Sequence, residues 1–298
     1  MILPPPVRPG GTIGVVAPGG AVKADALERG VASLEALGFR VRLGEHVRAR
    51  RRYLAGTADM RHADLAAMLA DPDVGAIVCA RGGYGTSQLL PLLDPALLMA
   101  RPKLVVGYSD VSPLLGWIVE RCGVVALHGP MVATDLAKGL SERSGARLVD
   151  LLASPDAPWR EPVADVVAGG VATGRLVGGC LSSLAALLGT PYAVETAGAV
   201  LFLEDVAERP YRVDRMLMHL KLAGKLDAVA AIVLGSFAEC DGRDDDVVAG
   251  VFRDFFADAP YPVVAGFPAG HLSENLSLTF GIPVRVDADA GWVGAVAA

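Results

Sequence analysis

The sequence predicts an α/β protein built on a parallel sheet with helices on both faces. Three observations predict it. Short β-rich apolar runs alternate with segments of helical periodicity through the first half of the chain. The runs are almost continuously apolar rather than alternating, as strands buried on both faces require. Several of them end in Gly-rich turns, at the strand ends where open α/β sheets take their ligands.

Taken in order, residues 12–17 (TIGVVA) read as a buried strand that stops at Pro18-Gly19-Gly20. Residues 24–37 have helical spacing and close at Gly38, a suitable C-terminal cap. A second strand covers 39–43. Thr57 caps a helix that runs to about residue 70, with Asp59 in its first turn. Strands at 75–80 (GAIVCA) and 103–108 (KLVVGY) lead into Arg81-Gly-Gly-Tyr-Gly85 and Ser109 respectively. Residues 112–122 form a helix and 124–127 a strand. The stretch 154–170 holds three prolines without clear periodicity and reads as a linker. Beyond it come a strand at 199–203 ending at Glu204, a helix at 211–222, a strand at 228–234 and a helix at 247–256. Residues 261–298 suggest short strands and loops.

Composition narrows the function. A chain of 298 residues with 52% apolar and 20% charged residues can bury a sizeable core and is not disordered. A net charge of −6 argues against a phosphate-binding surface, so no nucleic-acid partner is expected. The one basic cluster, Arg48, Arg50, Arg51 and Arg52, reads as a solvated loop. The N-terminus lacks a secretory pattern, and the uncharged stretch 176–194 is too broken by small and polar residues to span a membrane. Cys79, Cys122, Cys180 and Cys240 form no CxxC pair and read as buried thiols of a reducing compartment, which points to the cytoplasm.

Four places could carry chemistry. Ser109, in Gly107-Tyr-Ser-Asp110 between a strand and a helix, sits where a sharp turn exposes a nucleophile. Position 111 is Val, so the strict G-x-S-x-G elbow fails and a simple helix cap competes. The glycines of Arg81–Gly85 allow close backbone approach, as an oxyanion or substrate loop needs, or merely make a tight turn. Glu204, Asp205 and Glu208 follow an apolar strand, where a carboxylate can orient a histidine or favour the start of a helix. Of the five histidines, His128 and His271 lie where a general base could stand. His46 and His62 lie near the arginines, and His219 falls on a helix.

The ordered set of motifs resembles the LD-carboxypeptidases, or muramoyltetrapeptide carboxypeptidases, and the related microcin C self-immunity peptidases. The likeness runs through Val16-Ala17-Pro18, Tyr53-Leu-Ala-Gly-Thr57, Ala80-Arg-Gly-Gly-Tyr-Gly85, Gly107-Tyr-Ser-Asp110 and His128-Gly-Pro-Met131. It continues in Leu201-Phe-Leu-Glu-Asp205, Pro210-Tyr-Arg-Val-Asp-Arg215 and Gly266-Phe-Pro-Ala-Gly-His271. The resemblance implies a Ser-Glu-His triad of Ser109, Glu204 and His271, with Glu208 the competitor of Glu204. It implies an oxyanion hole from the backbone amides of Gly83 and Asp110, and makes Arg81 and Tyr84 substrate-binding candidates. It further implies a flavodoxin-like N-terminal domain, a smaller C-terminal β/α domain, a site between them and a homodimer. The corresponding division is 1–153 for the nucleophile, 154–170 for the linker and 171–298 for acid and base.

The activity so implied is hydrolysis of the L,D-peptide bond before the terminal D-alanine of a murein tetrapeptide, without metal or other cofactor. Two readings compete. A microcin C-like aminoacyl-nucleotide hydrolase shares the triad, but its extra aromatic loop has no evident counterpart here. A non-catalytic two-domain ligand-binding protein would make the triad coincidental.

Overall fold

The computed structural model describes residues 1–243 and 247–296; Ala297 and Ala298, the end of the expected C-terminal domain, lie outside the described residues. The chain divides into two compact units, Met1–Pro155 with Ser273–Thr279, and Asp156–Leu272 with Phe280–Ala298.

In chain order the elements are β1 (Thr12–Val16), α1 (Ala24–Ala36), β2 (Arg40–Leu43), α2 (Ala58–Ala70), β3 (Val74–Cys79), α3 (Pro95–Ala100), β4 (Leu104–Gly107), α4 (Ser112–Trp117), β5 (Ala126–His128) and α5 (Glu142–Ala153). There follow β6 (Trp159–Pro162), β7 (Asp165–Ala168), β8 (Val171–Cys180), α6 (Leu181–Ala185), β9 (Ala199–Val206), α7 (Pro210–Leu222), β10 (Ala231–Ala238), α8 (Val248–Phe255) and β11 (Val263–Ala265). The chain closes with β12 (Leu278–Phe280), β13 (Pro283–Asp287) and β14 (Trp292–Ala295).

The first unit holds a sheet of order β12-β5-β4-β3-β1-β2, in which β1 to β5 pair in parallel. The order 2-1-3-4-5 is that of flavodoxin-like sheets, whose ligands sit beyond the carboxyl ends of the strands. Its central strands are apolar because both faces are covered: Ile13, Val15, Ile77, Val78, Val105 and Val106 are all fully buried. Thr57 caps α2 by accepting from Met60 N at 3.2 Å. The helix expected at 112–122 is regular only to Trp117 and widens into a π-helix over Ile118–Cys122.

The second unit holds a mixed sheet of order β6-β14-β13-β8-β9-β10-β11-β7. A parallel centre, β8 to β11, is flanked by antiparallel strands. The segment 154–170, expected as linker, supplies the two outermost strands, β6 and β7. Edge strands tolerate proline because one row of N–H groups has no partner to serve, so the prolines that argued against a strand here mark an edge instead. Against the parallel centre, Val213, Leu217 and Leu220 of α7 pack with Leu201 and Leu203 of β9 and with Phe252 of α8. Each such side chain contributes about 1.5–3 kcal/mol by leaving water. Among the described residues no helix is long and apolar enough to cross a membrane.

Candidate active site

Ser109 stands directly beyond β4. Tyr108 is extended, Ser109 turns to φ 60°, and a short 3-10 turn over Ser109–Val111 leads into α4. A left-handed residue with a Cβ costs roughly 1–2 kcal/mol, so neighbours must impose it. Gly82 is one: a Cβ there would lie 2.9 Å from Ser109 Cβ, 3.0 Å from its Oγ and 3.1 Å from Asp110 N. Only glycine lets the loop after β3 approach the serine this closely.

The loop is locked from behind. Asp110 is buried, and its Oδ2 accepts from Thr86 N at 3.0 Å and from Thr86 Oγ1 at 2.8 Å. Burial pushes its carboxyl up, opposed by the bonds from Thr86. Gly20 N donates to Gly82 O at 2.9 Å, tying the loop after β1 to the loop after β3. Below them lies Arg61 of α2, only 2% exposed, which donates to Gly85 O at 2.7 Å, to Gln88 Oε1 at 2.6 Å and to Pro18 O. Burial lowers the pKa of this guanidinium, with the charge of Asp110 opposing. Arg81 donates to Ala21 O at 3.1 Å, and the exposed Tyr84 ring stands 5.9 Å from that of Tyr53.

The second unit brings Glu204 and His271 together. Glu204 lies inside β9, which runs on to Val206 rather than ending at residue 203, and its side chain is wholly buried. Neighbouring residues of a strand face opposite ways. Asp205 accordingly turns to α6, accepting from Ser182 N at 2.7 Å, while Glu204 Oε2 meets His271 Nδ1 at 2.6 Å. Burial pushes the Glu204 carboxyl up, and the bonds and charge of His271 oppose that. Glu204 Oε1 is buried with no partner among the described residues. The other carboxylate considered, Glu208, pairs with Arg212 at 3.4 Å.

His271 is carried by a loop pinned to β10, through Phe267 N to Leu234 O at 3.1 Å and Ser236 N to Ala269 O at 2.9 Å. Phe267 anchors it in the core, its ring 5.7 Å from that of Trp159. Gly270, at φ 111°, has no room for a side chain: a Cβ would meet Glu204 Oε2 at 2.7 Å.

The remaining histidines sit elsewhere. His128 ends β5 fully buried, its ring 5.6 Å from that of Tyr108. His46 Nδ1 pairs with Asp64 at 2.8 Å, and His219 lies on the exposed side of α7. Among the described residues no three His, Cys, Asp or Glu side chains cluster to hold a metal. Arg61 and Thr86 were not singled out from sequence, and Asp205, considered there with Glu204, turns away from the histidine. A signal existed for Arg61, which falls with Leu65 and Met68 on the apolar stripe of its helix.

A strand-end serine with backbone amides beside it, and a histidine bonded to a buried carboxylate, are components of acyl-transfer chemistry. Comparison with known proteins agrees. Family models described as the LD-carboxypeptidase N-terminal and C-terminal domains match residues 13–129 and 173–286. A murein tetrapeptide carboxypeptidase of Pseudomonas aeruginosa is 38% identical, over 91% of each chain. The crystal structure of a muramoyltetrapeptide carboxypeptidase from Oxalobacter formigenes superposes with a TM-score of 0.87 at 32% identity, covering 95% of this chain and 97% of that one. A microcin C7 self-immunity protein, solved in its wild-type apo state, shares the fold with a TM-score of 0.94 at 23% identity, over 100% and 99% of the two chains. The chain belongs to the LD-carboxypeptidase family.

Proposed function

We propose that this protein is a serine-type LD-carboxypeptidase that removes the terminal D-alanine from murein tetrapeptides during peptidoglycan recycling. The observation that carries the reading is the 2.6 Å bond between His271 Nδ1 and the buried Glu204. A carboxylate at Nδ1 fixes the tautomer and leaves Nε2 to serve a nucleophile. Ser109, held at φ 60° beyond β4, is that nucleophile. Residues 1–153 thus supply the nucleophile and 171–298 the acid and base.

In this mechanism His271 takes the Ser109 proton as the hydroxyl attacks the carbonyl before D-alanine. The amides of Gly83 and Asp110 receive the oxyanion, each worth ~10²–10³ in rate. His271 then gives its proton to the departing amine, and water releases the acyl group by the reverse route. Glu204 holds the imidazole in place and stabilises its charged form. Arg81 and Tyr84 contact the substrate. The four free, buried cysteines suit a reducing cytoplasm. The homodimer is proposed from the family resemblance alone, and sedimentation equilibrium tests it.

The decisive experiment is mass spectrometry of L-Ala-γ-D-Glu-meso-diaminopimelate-D-Ala incubated with the protein and with its Ser109→Ala variant. Loss of one alanine with the native protein alone supports the proposal. An intact peptide, with Ser109 still labelled by a serine-directed probe, overturns the substrate and redirects the search to aminoacyl nucleotides.

A further inference from the structure

The arginine-rich stretch, solvated as expected, is also fastened through its main chain to the loops beside Ser109. Arg51 and Leu54 exchange backbone hydrogen bonds of 2.9 and 3.0 Å, and Arg52 is held at φ 58° between them. Ala21 N donates to Tyr53 O at 2.9 Å, and Ala55 N to Gly19 O at 3.0 Å. With the Gly20–Gly82 bond, these join the loops after β1, β2 and β3 through the main chain. Side chains projecting from such a frame are pre-positioned, which spares a ligand part of the cost of ordering them.

The frame encloses a cavity of about 320 Å³, lined by Lys23, Arg50, Arg52, Arg81, Tyr53 and Tyr84 among others. Ligand sites typically measure about 300–1,000 Å³. Four cations meet here on a chain whose net charge is −6. Among the described residues none of the four forms an ion pair. Arg81 Nε is also buried without a hydrogen-bond partner among the described residues. Clustered cations repel one another and are poorly satisfied unless an anion joins them. Gly83, whose amide is assigned to the oxyanion hole, lines the same cavity.

We propose that this cavity is a subsite for the non-reacting carboxylates of the substrate, those of the acyl-side D-glutamate and diaminopimelate residues. The inference rests on the carboxypeptidase reading and deepens it. The departing alanine carries one carboxylate, which a single cation satisfies, whereas several cations around a roomy cavity match a ligand with several separated carboxylates. The tyrosines flank its aliphatic stems. The site therefore selects the free acids over amidated stem peptides, and selects them in binding rather than in bond cleavage.

Isothermal titration of the full-length protein tests this with three probes. They are the product tripeptide L-Ala-γ-D-Glu-meso-diaminopimelate, its counterpart with the D-glutamate and distal diaminopimelate carboxylates amidated, and uridine diphosphate. The tripeptide is expected to bind native protein at least about tenfold more tightly than the amidated form, since charge-assisted bonds are the strong ones. In the double variant Arg50→Gln/Arg52→Gln that preference should fall to near unity, with circular dichroism unchanged because both side chains are exposed. Equal binding of acid and amide by native protein, or a preference that survives the double variant, overturns the inference. Arginine-dependent binding of uridine diphosphate in preference to the tripeptide overturns the peptide assignment in favour of a nucleoside diphosphate. Turnover of the tetrapeptide is followed separately. Arginine-dependent tripeptide binding without turnover would remove the carboxypeptidase reading and leave the subsite standing.

Discussion

Ser109 is held by backbone, whereas Glu204 and His271 are held by burial and a side-chain bond. Around the serine, main chain meets main chain: Gly20 bonds Gly82, Gly82 presses on Ser109, and the carboxylate of Asp110 ties its loop to Thr86. The strained backbone of the serine, at φ 60°, is thus imposed by its main-chain neighbours. In the second unit one of the candidate groups, Glu204, is itself part of the core. Burial of this carboxylate, with one oxygen unpartnered among the described residues, disfavours its charged form, and the bonds and charge of His271 compensate. Chemistry and stability are separable in the first region and opposed in the second.

The largest expected effect is that of Ser109→Ala, which should lower kcat by roughly 10⁴–10⁶ while leaving the Tm within about 2 °C of native. A large loss of Tm, read by calorimetry, would show that the serine is structural after all. Glu204→Gln comes next, with kcat reduced by about 10³–10⁴ because the imidazole loses the anion that stabilises its charged form. Its effect on stability has the opposite sign. Burial raises the folded-state pKa of this acid above its ordinary value of 4.5. Between the unfolded and the folded value the folded chain therefore binds more protons, and stability falls as pH rises. The Gln variant escapes that fall, so its Tm should gain on native protein from acid to neutral pH. A variant that loses ground instead would sink the account of Glu204 as a strained anion.

A smaller effect is expected of Gly82→Ala. The added methyl must displace Ser109 or Asp110 N, and kcat should drop about 10²–10³ through lost oxyanion geometry, with a stability cost of about 1–3 kcal/mol. A rise in KM with unchanged kcat would contradict that assignment. The smallest is Lys103→Met, at the opposite end of β4 from Ser109. Lys103 is buried, bonded to the carbonyls of Met68 and Asp71, and burial pushes its pKa down to about 8. Between pH 8 and the unfolded value of 10.5 the unfolded chain holds more protons, so native stability should climb with pH across that window. The variant should lack the climb and keep its turnover. A persistent climb would assign it to another group.

The same contrast explains what could be read in advance. β1, β3, β4 and the turns after them declare themselves, because continuous apolar runs stop at Pro18, Arg81 and Ser109, the first two followed at once by glycines. Ser109 is legible for that reason, and the fold of the first unit with it. Glu204 is harder: from sequence it ends a strand, but β9 continues to Val206 and buries it. Local pattern cannot say which of Glu204, Asp205 and Glu208 faces a histidine far along the chain; side-chain alternation in the folded strand can. β6 escaped because Pro162 interrupts an edge strand without abolishing it, and β7 because its four residues lie in the same stretch without a clear period, whereas β13 and β14 fall where short strands were expected without bounds. The arginine loop is solvated as expected, with Arg48, Arg50, Arg51 and Arg52 all exposed, but its order was not legible. Its charges suggest solvent, whereas its order comes from main-chain bonds that no side-chain pattern records.

One feature of the chain path bears on how such a protein is made and inherited. The first unit takes its edge strand β12 from near the end of the chain, where Ser273–Thr279 returns to it after the whole of Asp156–Leu272 has been laid down. During synthesis β5 must wait, with its open edge exposed to stray pairing, until nearly the last codons are translated. A transcript cut short anywhere between residues 155 and 279 leaves both units incomplete. Neither half can therefore be exchanged between genes as a simple cassette, and any recombination that moves the nucleophile must bring the far end of the reading frame with it.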